Sequence, residues 1–232
     1  MKKFFKIVKW FLIIIFIFIV FVSSYVFIEG RQIYLDAIEK TSLSDKVNNI
    51  KNSENYLTLD KIPDDFEHAI IAIEDHRFLK HHGIDIIATC RAIVNNIISF
   101  SIVEGGSTIT QQLAKNLYFT QEQKFTRKVA ELLVAFDLEK NYSKNDILEL
   151  YINTIYFGDG YYGIKEASNG YFGKEPDELT LDEITLLAGI PNAPSVYSLS
   201  NSEELARQRQ KRVIDAMIKY EYLDSEAANA LP

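Results

Sequence analysis

The chain has 232 residues, 47% of them hydrophobic and 25% charged, with no low-complexity window and no internal repeat, which leaves room for one ordinary domain beside a membrane segment. The formal net charge is −7, but four lysines sit in the first nine residues; beyond Lys9, 21 Lys and Arg face 32 Asp and Glu, a net −11. So acidic a body argues against nucleic acid as a partner, and it requires any anionic substrate to be met by a local cluster of cations.

Lys2, Lys3, Lys6 and Lys9 form a basic tail (residues 1–9), followed by the uncharged, apolar stretch Trp10 to Ile28, long enough to cross a bilayer as a helix. The lysines predict a cytoplasmic N-terminus and an extracytoplasmic domain in a single-pass cell-membrane protein. A signal peptide would carry a shorter apolar core of about 7–15 residues, so an uncleaved anchor is expected. With Cys90 as the only cysteine, the domain has no internal disulfide and must be held by its core. Residues 29–61 are polar and mixed in charge, which reads as a stalk with some helix, and residues 62–232 as the folded domain.

After Pro63 the pattern is helical, with almost no alternating strand signal, so the domain is expected to be mainly α. Pro63 suits a first helical turn, Asp64 and Asp65 favour its positive end, and the helix should reach Glu74-Asp75. Gly83 precedes an apolar helix over about 84–98. Gly105-Gly106 breaks the chain before Ser107 or Thr108 caps the next helix. Later helices are expected near Thr126, Ser143, Thr180 and Ser202, with capping boxes at Ser143/Asp146 and Thr180/Glu183.

Three clusters carry chemistry. Glu74 ends an apolar helix close to Phe78, a setting that makes a carboxylate a better proton acceptor, although an isolated Glu is usually solvated surface. Glu104-Gly105-Gly106-Ser107-Thr108 feeds a helix whose free N–H groups suit a phosphate, and Gln111 and Gln112 lie four and three residues before Lys115 on that helix. On the next helix, Phe125, Val129, Leu132, Leu133 and Phe136 form an apolar stripe, with Lys124, Arg127, Lys128 and Glu131 opposite. Ordinary surface ion pairs would explain this third cluster by itself.

In order along the chain, Glu74-Asp75-His76-Arg77-Phe78 with His81 and Gly83, then Gly105 through Asn116, then Arg127-Lys128 with Glu131, resemble the first three motifs of family 51 glycosyltransferases. Lys144 through Asn153 resembles the fourth, and Arg209 with Val213-Ile214 the fifth. The resemblance implies a lysozyme-like helical lobe with a smaller membrane-facing jaw, the latter including Ile97, Ile98, Phe100, Ile102, Val103, Leu117, Tyr118 and Phe119. It also implies polymerisation of peptidoglycan glycan strands by a monofunctional enzyme. The growing chain on undecaprenyl diphosphate passes to the 4-hydroxyl of lipid II with inversion.

Glu74 is then the expected base and Glu131 the assistant at the departing diphosphate, directly or through a divalent cation (Mg or Mn). Lys115 with Arg127 or Lys128 would stabilise the leaving charge. Asp75, Phe78, His81, Ser107, Thr108, Gln111, Gln112, Asn116 and Asn153 match positions that shape the two sugar-diphosphate sites. Ala130 and Gln123-Lys124 stand where some members carry further cations, which leaves the diphosphate's partners open. Lipid II, the lipid-linked glycan, the membrane and cell-wall synthesis proteins are the expected partners. Rival readings are a lysozyme-like wall hydrolase, against which the cation-flanked Glu131 and the helix start after Gly105-Gly106 speak, and a non-catalytic wall-binding protein, which would bind lipid II without extending it.

Overall fold

The computed structural model describes residues 2–101, 105–119, 124–229 and 231. Ile102, Val103, Glu104 and Gln123 lie outside the described residues. Among those described the fold is mainly α, with no strand beyond two isolated bridges, His82 with Ile84 and Tyr156 with Tyr162.

Helix α1 (Lys2–Lys40) contains the expected membrane segment: its apolar window makes no buried contact within the chain, and it is long and apolar enough to cross a membrane. Residues 29–61 do not form a free stalk. Instead α1 runs on to Lys40, and α2 (Leu43–Lys51) follows, with the Ser42 hydroxyl accepting from the Asp45 N–H. Leu43, Val47, Leu57 and Ile62 are buried in the main core. Apolar residues at helical spacing among many polar ones suffice to seat this segment, because only one narrow stripe of it has to be covered.

Helix α3 (Asp64–Glu74) starts after Pro63 with Asp64, Asp65 and Glu67 in its first turn, buries Phe66, Ala69 and Ile70, and stops at Glu74. Asp85 caps α4 (Ile86–Ile98) by accepting from the Ala88 N–H at 3.0 Å, which starts this helix two residues later than the apolar run suggests. Thr108 is the cap of α5 (Ile109–Tyr118), and Gln111 returns the bond to the Thr108 N–H. Lys124, without a capping side-chain bond, precedes α6 (Phe125–Asn141). The expected boxes close at Ser143/Asp146 for α7 (Lys144–Ile152) and at Thr180/Glu183 for α9 (Leu181–Gly189), with α8 (Gly163–Phe172) between them.

After the short α10 (Pro194–Tyr197), α11 (Leu199–Lys219) is interrupted at Ser202, whose hydroxyl accepts from the Leu205 N–H at 3.3 Å and so caps the longer second part as expected. A last turn, α12 (Ser225–Asn229), ends the described chain apart from Leu231.

Helices α3, α9 and α11 pack on one another, α6 packs on α1, α5 and α7, α5 also packs on α7, and one core joins the two groups. The smaller part is α4, which buries little beyond Ala92 and exposes Ile86, Ile87, Ile93, Val94, Ile97 and Ile98; Phe100 just after it is 97% exposed. So large an unpartnered apolar surface fits a membrane-facing jaw. Leu117, Tyr118 and Phe119 do not belong to that jaw. Leu117 is buried, the two aromatics pack against the core, and the Tyr118 hydroxyl donates to the Thr41 carbonyl.

Half-buried Glu67 on α3 has its pKa raised to about 7, by burial first and then by repulsion from Asp64 and Glu149. Between 4.5 and about 7 the folded state therefore keeps a proton that the unfolded chain has released, and stability is lost as pH rises through that window. Glu67→Gln is expected to melt higher than the wild type above the window and to converge with it below. Thermal melts of both proteins with parallel pH dependence would rule the assignment out.

Candidate functional site

A cleft of about 680 Å³ is lined from the end of α3 by Glu74, Asp75 and His76, from the loop before α5 by Gly105, Gly106, Ser107 and Thr108, and from α5 by Gln111, Gln112 and Lys115. Lys128 and Glu131 enter it from α6, Arg91 from α4, and Arg209, Arg212 and Lys219 from α11. Motifs far apart in sequence thus meet on one surface.

Glu74 sits where these walls join, with its side chain 8% exposed. Its Oε2 accepts from the Gln112 amide at 2.7 Å, and its Oε1 lies 3.8 Å from the Arg209 guanidinium, buried and without a hydrogen-bond donor. Gln112 is held in turn, because the Tyr151 hydroxyl donates to its Oε1 at 3.1 Å. Tyr151 is completely buried, and burial, with Glu74 and Asp75 adding, pushes its pKa well above the usual value; it therefore remains a donor and fixes which end of the Gln112 amide faces Glu74. Arg209 can lie along this wall because Gly189 has no side chain: a Cβ there would stand 3.0 Å from Arg209 Cγ.

On the α6 side Glu131 is buried, its side chain 2% exposed, between Arg127 at 3.0 Å and Lys128 at 3.1 Å. Lys128 also donates to Ser107 Oγ at 3.0 Å. The wheel pattern set Glu131 opposite the apolar stripe, where ordinary surface ion pairs would explain its cluster; instead Ala130, Val134, Ala135 and Leu138 are buried and Glu131 is buried with them, while Phe125 and Phe136 of the stripe are exposed. Two adjacent cations make that burial tolerable. Burial holds the Lys115 ammonium below the usual lysine range, opposed by Glu131, with Arg127 and Lys128 pushing further down and Glu74 opposing. A dianion arriving here would relieve the repulsion among three cations.

Several matched residues support the cleft from behind. Asp75 accepts from His81 Nε2 at 2.8 Å and from the Ile109 N–H at 3.1 Å, which ties α3 to the start of α5. Thr108 donates to the Gly83 carbonyl at 2.7 Å. Phe78 is wholly buried, beneath the Lys144 ammonium, 4.3 Å from its ring centre. Asn116 and Asn153 line a separate cavity of about 420 Å³, where Asn153 accepts from the Leu57 N–H and donates to the Leu57 carbonyl, pinning the segment that leads into α3.

A second group of cations was not legible in the sequence. Arg91, Arg212 and Lys219 line the cleft beside His76, which stacks on Tyr220 with ring centres 4.2 Å apart. His76 titrates below its ordinary value, through burial and the nearby Arg91. The seven-residue step from Arg212 to Lys219 marks one face of α11, but only packing brings Arg91 to meet it. Among the described residues no group of three or more His, Cys, Asp or Glu could hold a metal ion. Both Glu131 oxygens face cations of the chain itself, a donor set that does not fit a protein-held divalent ion.

A family model described as Transglycosylase matches residues 41–218. A monofunctional glycosyltransferase of Staphylococcus haemolyticus is 41% identical over 223 residues, 93% of this chain and 81% of that one. Penicillin-binding protein 1F of Bacillus subtilis is 40% identical over 90% of this chain, which spans 30% of its length. Penicillin-binding protein 1A of Aquifex aeolicus is 46% identical over 74% of this chain and 24% of its own. A motif set that converges on one cleft, matched over most of its length to these relatives, means that the chain belongs to the transglycosylase family and is a glycosyltransferase of peptidoglycan synthesis.

Proposed function

We propose that Glu74 is the general base of glycan-strand polymerisation. The observation that carries this reading is its setting: a nearly buried carboxylate lining the cleft, with Gln112 holding Oε2 and no hydrogen-bond donor on Oε1, whose paired cation, Arg209, stands 3.8 Å away. The 4-hydroxyl of lipid II gives its proton to this oxygen as it attacks the anomeric carbon of the lipid-linked chain. The new C1–O bond forms on the face opposite the departing diphosphate, so configuration inverts. Arg127, Lys115 and Lys128 receive the leaving diphosphate, with Glu131 fixing the directions of Arg127 and Lys128. Arg91, Arg212 and Lys219, which line the same cleft, meet the diphosphate of the acceptor, so that each substrate has its own cations.

The basic tail before the apolar span supports an arrangement with the N-terminus in the cytoplasm and the cleft outside. Protease added to intact spheroplasts is expected to remove the domain; full protection would reverse the orientation.

Glu74→Gln is expected to lower lipid II polymerisation by about 10²–10⁴-fold with lipid II still bound. Unchanged polymerisation would refute the base assignment, and cleavage of finished peptidoglycan without synthesis would point to a hydrolase. Tyr151→Phe frees the Gln112 amide to turn its oxygen toward Glu74. Its expected result is lower kcat at similar KM, with a stability loss of about 0.5–1.5 kcal/mol; equal kcat would remove Tyr151 from the positioning chain.

A further inference from the structure

Helix α1 is continuous from the membrane segment into the domain, and among its described residues Gly30 is the first that is buried. Gly30 is buried against α6: a Cβ on it would stand 2.5 Å from Val129 Cβ and 2.6 Å from the Thr126 carbonyl oxygen. One of those atoms is backbone and cannot move aside, so any side chain at position 30 forces the two helices apart. Farther along, the Tyr34 hydroxyl donates to Asp137 Oδ2 of α6 at 2.6 Å, and Thr41 just beyond α1 accepts from Tyr118. The turn of α6 that Gly30 touches, Thr126 to Val129, contains Arg127 and Lys128, the two cations paired with Glu131.

Position matters as much as contact. Gly30 lies two residues beyond Ile28, the last residue of the uncharged stretch, or about 3 Å along a helix. The headgroup layer on one side of a bilayer is about 5–8 Å deep. A helix that enters the membrane at Ile28 and crosses α6 at Gly30 therefore holds the first turn of α6 within that layer, where a diphosphate on a lipid tail emerges.

We propose that Gly30 is a positioning residue for the transfer reaction: by permitting the close crossing of α1 and α6 immediately outside the apolar span, it sets the height of Arg127 and Lys128 above the membrane to that of a lipid-anchored diphosphate. The inference rests on the glycosyl-transfer reading above. Gly30 touches no cleft residue's reacting atoms and acts only through the placement of α6.

The test uses the full chain in liposomes and two substrates, lipid II with its full-length isoprenoid embedded in the bilayer and a water-soluble lipid II analogue with a short lipid chain. Gly30→Leu is expected to lower polymerisation of the embedded substrate by at least about ten-fold, mainly as a raised apparent KM, while its rate on the soluble analogue stays at the wild-type value. A second variant, four alanines inserted between Ile28 and Glu29, keeps the Gly30 crossing but lifts it by about 6 Å. It should melt like the wild type and show the same selective loss. Equal losses on both substrates by both variants, or full activity of the insertion variant on embedded lipid II, would overturn the proposal. A wild type inactive on both substrates would overturn the transfer reading itself, and this inference with it.

Discussion

The carboxylate of Asp75 holds the working part of the molecule together. It is buried next to Glu74, and it accepts from His81 and from the Ile109 N–H that opens α5. A buried carboxylate that lost such partners would cost about 3–5 kcal/mol, so the end of α3 and the start of α5 are locked in one relative position. From that lock the rest of the site follows by helix geometry. Gln112 and Lys115 lie one and two turns along α5, Gln112 reaches back to Glu74, and Tyr151 fixes the amide that does so. Glycines serve the same end: Gly106 lets the loop before α5 lie against α4, where a Cβ would stand 3.1 Å from Thr89 Cα.

Electrostatics complete what packing begins. The body of the chain carries a strong negative balance, yet its cleft gathers Lys115, Lys128, Arg91, Arg209, Arg212 and Lys219 around Glu74 and Glu131, with Asp75, Asp85 and Asp215 also in its walls. In a partly desolvated cleft such charges act at a lower effective dielectric than on an open surface. The arrangement therefore attracts diphosphates into one place while the acidic exterior repels anions elsewhere. Glu131 has a cation within 3.1 Å of each oxygen, Arg127 and Lys128, whereas the paired cation of Glu74 Oε1, Arg209, stands off at 3.8 Å. On the proposed mechanism, that difference in surroundings separates a carboxylate that organises charge from one that takes a proton.

The membrane enters the same design through α1 and α4. The anchor is part of the domain's packing, since α1 continues along α6 and its end meets α5 through Tyr118. Under the proposed crossing at Gly30, cleft height over the bilayer is tied to the helix that bears Arg127 and Lys128, and the apolar side of α4 exposes a second apolar surface. A flexible tether would confine the enzyme to the membrane without fixing that height.

Much of this was written locally. The helix starts at Pro63, Thr108, Ser143, Thr180 and Ser202 rest on caps and fixed dihedrals that neighbours along the chain supply, and the apolar span from Trp10 needs only length and hydropathy. The order of the motifs likewise pointed to Glu74, Lys115 and Glu131 as members of one site. Tertiary structure decided what each of these residues does there. Phe78 went to the core, Asn116 and Asn153 to a second cavity, Glu131 inward between two cations, and the supposed stalk into a helix packed on α6. Arg91 and Lys219 came to line the same cleft as Glu74 only because the fold sets α4 and α11 along its walls. Caps and spans depend on residues a few positions away, which a sequence displays directly; the burial of a charge and the company it keeps depend on segments brought together from the whole length of the chain.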